Sequence, residues 1–136
     1  MARILAIDYG LKRTGLAVTD PLQLIASGLT TVPTTQLLEF LKNYIQNEPV
    51  ELIVVGEPKQ MDNTPSESEQ FILTFLEKLK TALPNIPVKR VDERFTSKMA
   101  FKTMIDSGLK KSKRQNKALV DEISATLILQ SFLNSR

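Results

Sequence analysis

Acidic side chains follow three segments of the sequence that have the pattern of buried strands. Asp8 ends the first apolar run of the chain, Glu57 ends a second, and the neighbouring Asp92 and Glu93 end a third. Because ligands of open α/β sheets bind outside the carboxyl ends of the strands, these carboxylates are expected to converge. Clustered carboxylates ionise together only around a cation, and their oxygens suit Mg²⁺ or Mn²⁺. The pattern predicts a metal site that supports in-line displacement at a phosphodiester.

A further carboxylate, Asp121, lies near the start of the last predicted helix. It shares one helical face with Ala125, Ile128 and Phe132, so the carboxylate is expected to face the sheet. The neighbouring Glu122 is better explained as a charge that complements the dipole at the start of the helix. Asp121 therefore joins the candidate site and Glu122 does not.

Histidine and cysteine are both absent from the 136 residues. Their absence excludes histidine triads, histidine bases, disulfides and zinc–thiolate sites. Catalysis would have to use carboxylates, lysine, hydroxyl groups or tyrosine. No apolar run approaches the roughly 20 residues that a membrane span needs, and the chain begins with a strand pattern rather than a signal peptide. We therefore expect a cytoplasmic protein without a membrane partner.

Positive charge is concentrated in one segment near the carboxyl terminus. In a chain of net charge +3, this segment contributes five cations and no acid: Lys110, Lys111, Lys113, Arg114 and Lys117. Lys12 and Arg13 add two more at the tip of the first predicted hairpin. A basic segment beside an acidic cluster is the layout expected of a protein that holds a phosphate backbone over a metal site. The alternative is a solvated loop.

The predicted elements are three strands followed by alternating helices and strands. Strands are expected over 3–9, 14–19, 25–32, 50–56 and 88–95, and helices over 35–47, 66–83, 97–107 and 118–133. Thr34 or Thr35 is expected to cap the first helix, and Ser66 and Glu69 form a capping-box pattern before the second. A meander followed by βα units implies an α/β fold with a mixed five-stranded sheet flanked by helices, in one domain over 1–136.

Four motifs, in this order and at these separations, resemble the YqgF family. They are residues 8–17 (DYGLKRTGLA), 55–58 (VGEP), 92–97 (DERFTS), and Asp121 followed by 124–125 and 128–130. The resemblance implies a ribonuclease H-like fold and metal-dependent cleavage of nucleic acid. It implies that the catalytic and metal-binding carboxylates are Asp8, Glu93 and Asp121, with Asp92 as the alternative to Glu93. Arg94 joins the basic residues that would bind nucleic acid.

The family resemblance also implies a biological role and leaves one ligand open. Members are described as nucleases that mature the 5′ end of pre-16S ribosomal RNA, which makes the ribosomal subunit an expected partner. An older suggestion is resolution of branched DNA, the Holliday junction. Glu57 stands where the family commonly has an apolar residue, so it is either an additional ligand or a solvated neighbour of the site.

Two other classes of function compete with the nuclease. A non-catalytic RNA-binding factor for ribosome assembly would use the basic segment without needing the carboxylates. An actin-like phosphotransferase also opens with an apolar strand, an aspartate and a glycine turn. That class needs two such domains and a glycine-rich phosphate loop, and the sequence has neither. For Asp92 and Glu93, the alternative to a role in the site is structural: an ion pair with Arg94 that caps the next helix.

Overall fold

The computed structural model describes residues 2–58, 68–92 and 117–136. The strands are β1 (Arg3–Asp8), β2 (Arg13–Thr19), β3 (Ala26–Pro33), β4 (Val50–Glu57) and β5 (Val88–Asp92). The helices are α1 (Leu37–Asn47), α2 (Glu69–Ala82) and α3 (Lys117–Ser135), and a short 3₁₀ turn (Thr34–Gln36) precedes α1. The helix predicted over 97–107 lies outside the described residues. None of the helices in the described ranges combines the length and apolar character needed to cross a bilayer.

The five strands form one mixed sheet in the order β3-β2-β1-β4-β5. The first three strands pair antiparallel, and β1, β4 and β5 run parallel. This arrangement is the predicted meander followed by βα units, and it confirms the α/β, mixed five-stranded prediction. The central position of β1 follows from its sequence, since a strand that is apolar on both faces must be covered on both.

Each face of the sheet carries its own hydrophobic cluster. Leu5 and Ile7 of β1 belong to the cluster that α1 and α2 cover, with Leu41 and Phe75 among its members. Ile4 and Ala6 point to the opposite face, where α3 packs. Because successive side chains of a strand alternate between faces, the position of each later residue on β1 follows from this assignment.

Two predicted helix caps are wrong. No side chain caps α1, because the Thr34 hydroxyl instead donates to the carbonyl of Gly10 at 2.6 Å. Helix α2 begins at Glu69, preceded by Ser68, and has no side-chain cap either. The Glu69 carboxylate pairs with Arg90 of β5 at 2.7 Å, so it is not available to complete a capping box. Ser66 lies outside the described residues.

Candidate functional site

Asp8 is the last residue of β1 and lies on the face of the sheet that α3 covers. Strand alternation places its side chain on the same face as Ile4 and Ala6, which pack against α3. In the antiparallel register Asp8 stands opposite Gly15 of β2. The position of Asp8 is therefore fixed by a buried central strand, and its carboxylate lies at the end where the apolar cluster stops.

Gly15 brings α3 into direct contact with this part of the sheet. A Cβ atom at Gly15 would overlap the backbone carbonyl of Asp121 and would lie 3.0 Å from the backbone nitrogen of Glu122. Only glycine permits so close an approach between a strand and a helix. Since Gly15 pairs with Asp8, this contact places Asp121 beside Asp8, as the inward-facing helical pattern predicts.

The side chain of Asp121 forms an ion pair with Arg13. The Arg13 Nε donates to Asp121 Oδ2 at 2.9 Å, and the two side chains are 39% and 24% exposed. Arg13 begins β2, two residues before Gly15, so the guanidinium bridges the tip of the β1–β2 hairpin and α3. Arg13 was predicted only as a nucleic-acid ligand, and the structure shows that it also contacts a candidate catalytic carboxylate.

Hydrogen bonds from the 3₁₀ turn hold the loop that follows Asp8. The backbone nitrogen of Thr34 donates to the carbonyl of Lys12 at 3.0 Å. Because the Thr34 hydroxyl already donates to Gly10, the hydroxyl of Thr14 is the donor in the 2.9 Å bond that joins Thr14 and Thr34. These contacts fix the backbone on which Lys12 and Arg13 lie, and the Lys12 side chain is exposed at the tip.

Glu57 and Asp92 stand opposite each other at the ends of β4 and β5. Strand alternation places both on the face that α1 and α2 cover, because Val55, two residues before Glu57, belongs to that cluster. On the same face Arg90 makes two hydrogen bonds to Glu69 of α2, at 2.7 and 3.3 Å. The structure thus separates Glu57 and Asp92 from the face that carries Asp8.

The remaining predicted site residues lie outside the described residues, except Lys117, which is described in part. Glu93, the third predicted carboxylate, lies beyond the end of β5, as do most of the expected nucleic-acid ligands: Arg94, Lys110, Lys111, Lys113 and Arg114. Lys117 begins α3, and only its backbone is described. Within residues 2–58, 68–92 and 117–136, no group of three or more acidic side chains is arranged to hold a metal ion.

Two structural residues of the site were missed by sequence reasoning. An isolated glycine within a strand pattern indicates close approach of another backbone, and that signal at Gly15 was available. Thr34 was expected to cap a helix, and nothing in the local sequence indicates its contact with Gly10, 24 residues away.

Comparison with known proteins identifies the family of this chain. The model of the RuvX family, described as a Holliday junction resolvase, matches residues 2–135. The chain belongs to the RuvX family. Relatives named "Putative pre-16S rRNA nuclease" match the chain over nearly its whole length, and two of them illustrate the similarity. The one from Phocaeicola vulgatus is 64% identical over 136 residues, covering 100% of this chain and 98% of that protein. The one from Christiangramia forsetii is 65% identical over 133 residues, covering 98% of each.

Solved structures similar to this RuvX-family chain support the fold. Thermus thermophilus RuvC in complex with a Holliday junction substrate has a TM-score of 0.59 at 19% identity, over 99% of this chain and 96% of that one. A second structure of the same RuvC has a TM-score of 0.58 at 18% identity, over 98% and 95%. These likenesses confirm the predicted ribonuclease H-like fold.

Proposed function

We propose that this RuvX-family protein is a metal-dependent endonuclease that matures the 5′ end of pre-16S ribosomal RNA in the cytoplasm. The chain is an enzyme of the nuclease class, because it belongs to this family and relatives at 58–65% identity are named as nucleases. One structural observation supports the chemistry: the Gly15 contact brings Asp121 of α3 beside Asp8 of β1. Two carboxylates far apart in sequence thus share one end of one face.

The residues of this end fit a hard divalent cation. Asp8 and Asp121 supply carboxylate oxygens, the donors that Mg²⁺ and Mn²⁺ prefer. Glu93 is the third ligand that we propose in preference to Asp92, since alternation along β5 places Asp92 on the opposite face. When bound, the metal would activate water and stabilise the charge that develops on the scissile phosphate.

The chain's own side chains would position the substrate around these carboxylates. Arg13 holds Asp121 at 2.9 Å and thereby limits the orientations of that carboxylate. Exposed Lys12, on a loop that Thr34 holds in place, would bind a backbone phosphate. The basic residues from Lys110 to Lys117 would bind further phosphates along the nucleic-acid backbone, as the sequence predicts.

Precursor ribosomal RNA is the substrate that we propose, and junction DNA is the alternative. The names of the relatives support precursor ribosomal RNA, and the description of the family model supports junction DNA. A ribosomal precursor implies that the protein works near the small ribosomal subunit. A Holliday junction would instead require two active sites, because two strands must be cut symmetrically.

A cleavage assay with three labelled substrates tests the proposal. Precursor 16S RNA, an unrelated single-stranded RNA and a four-way DNA junction are each incubated with Mg²⁺, with Mn²⁺ and with EDTA. We expect metal-dependent cutting near the 5′ end of the mature sequence in the precursor. Preferred cutting of the junction would replace the ribosomal role with resolution of branched DNA. Binding without cutting under every condition would favour a non-catalytic assembly factor.

A further inference from the structure

Arg13 uses only one of its five N–H donors in the described part of the chain. The Nε contact to Asp121 Oδ2 is monodentate, and neither terminal nitrogen has a hydrogen-bond partner within residues 2–58, 68–92 and 117–136. The side chain is 39% exposed. A guanidinium presents its two terminal nitrogens as a planar fork whose spacing matches two oxygens of a phosphate. Among the described residues, the contact with Asp121 leaves this fork available.

The location of Arg13 places that fork next to the candidate reaction site. Arg13 and Gly15 are two residues apart on β2, and Gly15 pairs with Asp8. From ordinary strand spacings, the Cα atoms of Arg13 and Asp8 are about 8 Å apart. Exposed Lys12 lies in the loop immediately before Arg13. A phosphate held by the fork would therefore lie beside the carboxylates rather than elsewhere on the surface.

We infer that Arg13 is a positioning residue that joins substrate binding to the orientation of Asp121. Its Nε fixes the carboxylate while its terminal nitrogens bind a backbone phosphate of the nucleic acid, so both groups are held in one plane. The phosphate contact stands on the geometry alone, and the effect on cleavage rests on the proposed nuclease function. Lysine cannot replace this residue, because a single ammonium group has no fixed plane in which to hold both partners.

The phosphate contact is tested without metal and without catalysis. A fluorescein-labelled single-stranded RNA is titrated in EDTA at several KCl concentrations with wild type, Arg13→Gln and Arg13→Lys. Arg3→Gln is the matched control, because Arg3 also pairs through Nε, with Glu48 at 3.3 Å, at the opposite end of β1. For Arg13→Gln we expect the salt slope of log Kd to fall by about 0.7, the value for one phosphate contact with a single strand. A slope equal to that of Arg3→Gln would overturn the contact.

The link between the two partners is tested by a double-mutant cycle in the same metal-free assay. Arg13→Gln and Asp121→Ala are measured singly and together. If Asp121 holds the guanidinium that binds the phosphate, their effects on Kd are coupled. Effects that simply multiply would overturn the link, whether or not the protein cleaves RNA. The thermal midpoint of each variant shows that it is folded.

The effect of Arg13 on cleavage is tested by Arg13→Lys, which keeps the positive charge and removes the planar pair of terminal nitrogens. At saturating RNA we expect kcat to fall about tenfold or more, since small errors in position are costly in catalysis, while the salt slope stays near that of wild type. A wild-type kcat in this variant would overturn the positioning role. If wild type cleaves no substrate, the nuclease proposal fails, and the salt slope and the cycle decide the phosphate contact and its link to Asp121.

Discussion

The contact between Gly15 and the backbone of Asp121 predicts that Gly15→Ala destabilises the protein strongly. The added Cβ would lie closer than 3.0 Å to the carbonyl of Asp121, a separation that real Cβ atoms essentially never show. Ordinary contact begins at 3.4 Å, so the strand and the helix must move apart. Both are backbone, and Ala125 and Ile128 of α3 are fully buried against the sheet. Neither side of the contact can yield by a change of rotamer.

Gly28 on β3 provides the matched control. A Cβ at Gly28 would meet the side chain of Glu122, which can rotate away, whereas the Cβ at Gly15 meets backbone. The loss of chain entropy in the unfolded state is the same for both substitutions and cancels in the comparison. Overpacking of this kind costs about 3 kcal/mol, which corresponds to a fall of about 10 °C in Tm for a chain of this size. We expect Gly28→Ala to shift Tm by no more than about 2 °C.

The assay is thermal unfolding of both variants, followed by circular dichroism under the same conditions as wild type. Equal midpoints for Gly15→Ala and Gly28→Ala would refute the close approach of α3 to β2. The placement of Asp121 beside Asp8 would then lose its structural basis. If Gly15→Ala is destabilised as expected, its cleavage rate at a temperature where it remains folded should also fall, because Asp121 moves with the helix.

Two further predictions concern charged groups away from Gly15. The pKa of Asp20 is lowered, chiefly because the backbone N–H of Ile25 donates to its carboxylate. Asp20→Ala should therefore lower Tm at neutral pH. The difference in Tm from wild type should narrow below about pH 4, because the stability that comes from a lowered pKa is lost as Asp20 of the wild type becomes protonated. A difference in Tm that stays constant down to pH 2 would contradict this explanation. Arg90→Ala should lower the free energy of unfolding by about 2 kcal/mol, because it leaves the largely buried Glu69 without its ion-pair partner. Urea unfolding measures this free energy. An unchanged urea midpoint would show that the ion pair does not contribute to stability.

Most of the fold could be predicted from local patterns, and most of the contacts that build the site could not. The apolar runs and their polar breaks predict all five strands and the helices α1, α2 and α3, because burial on one or two faces gives the apolar residues a regular spacing. The caps failed because Thr34 and Glu69 bond to Gly10 and Arg90, which are distant in sequence. Tertiary partners of this kind override a local preference.

In the candidate site too, local patterns were predictable and contacts between distant residues were not. Asp8 and Asp121 could be selected because a carboxylate in an apolar pattern is costly without a partner. The pairing of Arg13 with Asp121 joins residues 108 positions apart and leaves no local signal. Phe71 of α2 precedes the buried Phe75 and Leu79 at steps of four residues, yet 54% of Phe71 is exposed. Spacing alone does not say how wide the covered face of a helix is.

The most direct test of the nuclease proposal compares Asp8→Asn with Glu57→Gln. Both substitutions replace a carboxylate by its amide at the same end of the sheet, on opposite faces. Initial rates of cleavage of precursor 16S RNA are measured with Mn²⁺ at saturating enzyme. We predict that Asp8→Asn lowers the rate about a thousandfold, since a lost metal ligand removes several kcal/mol of transition-state stabilisation, and that Glu57→Gln keeps a rate near that of wild type. Wild-type cleavage by Asp8→Asn, or equal losses in both variants, would contradict an active site built around Asp8 on the face of the sheet that α3 covers.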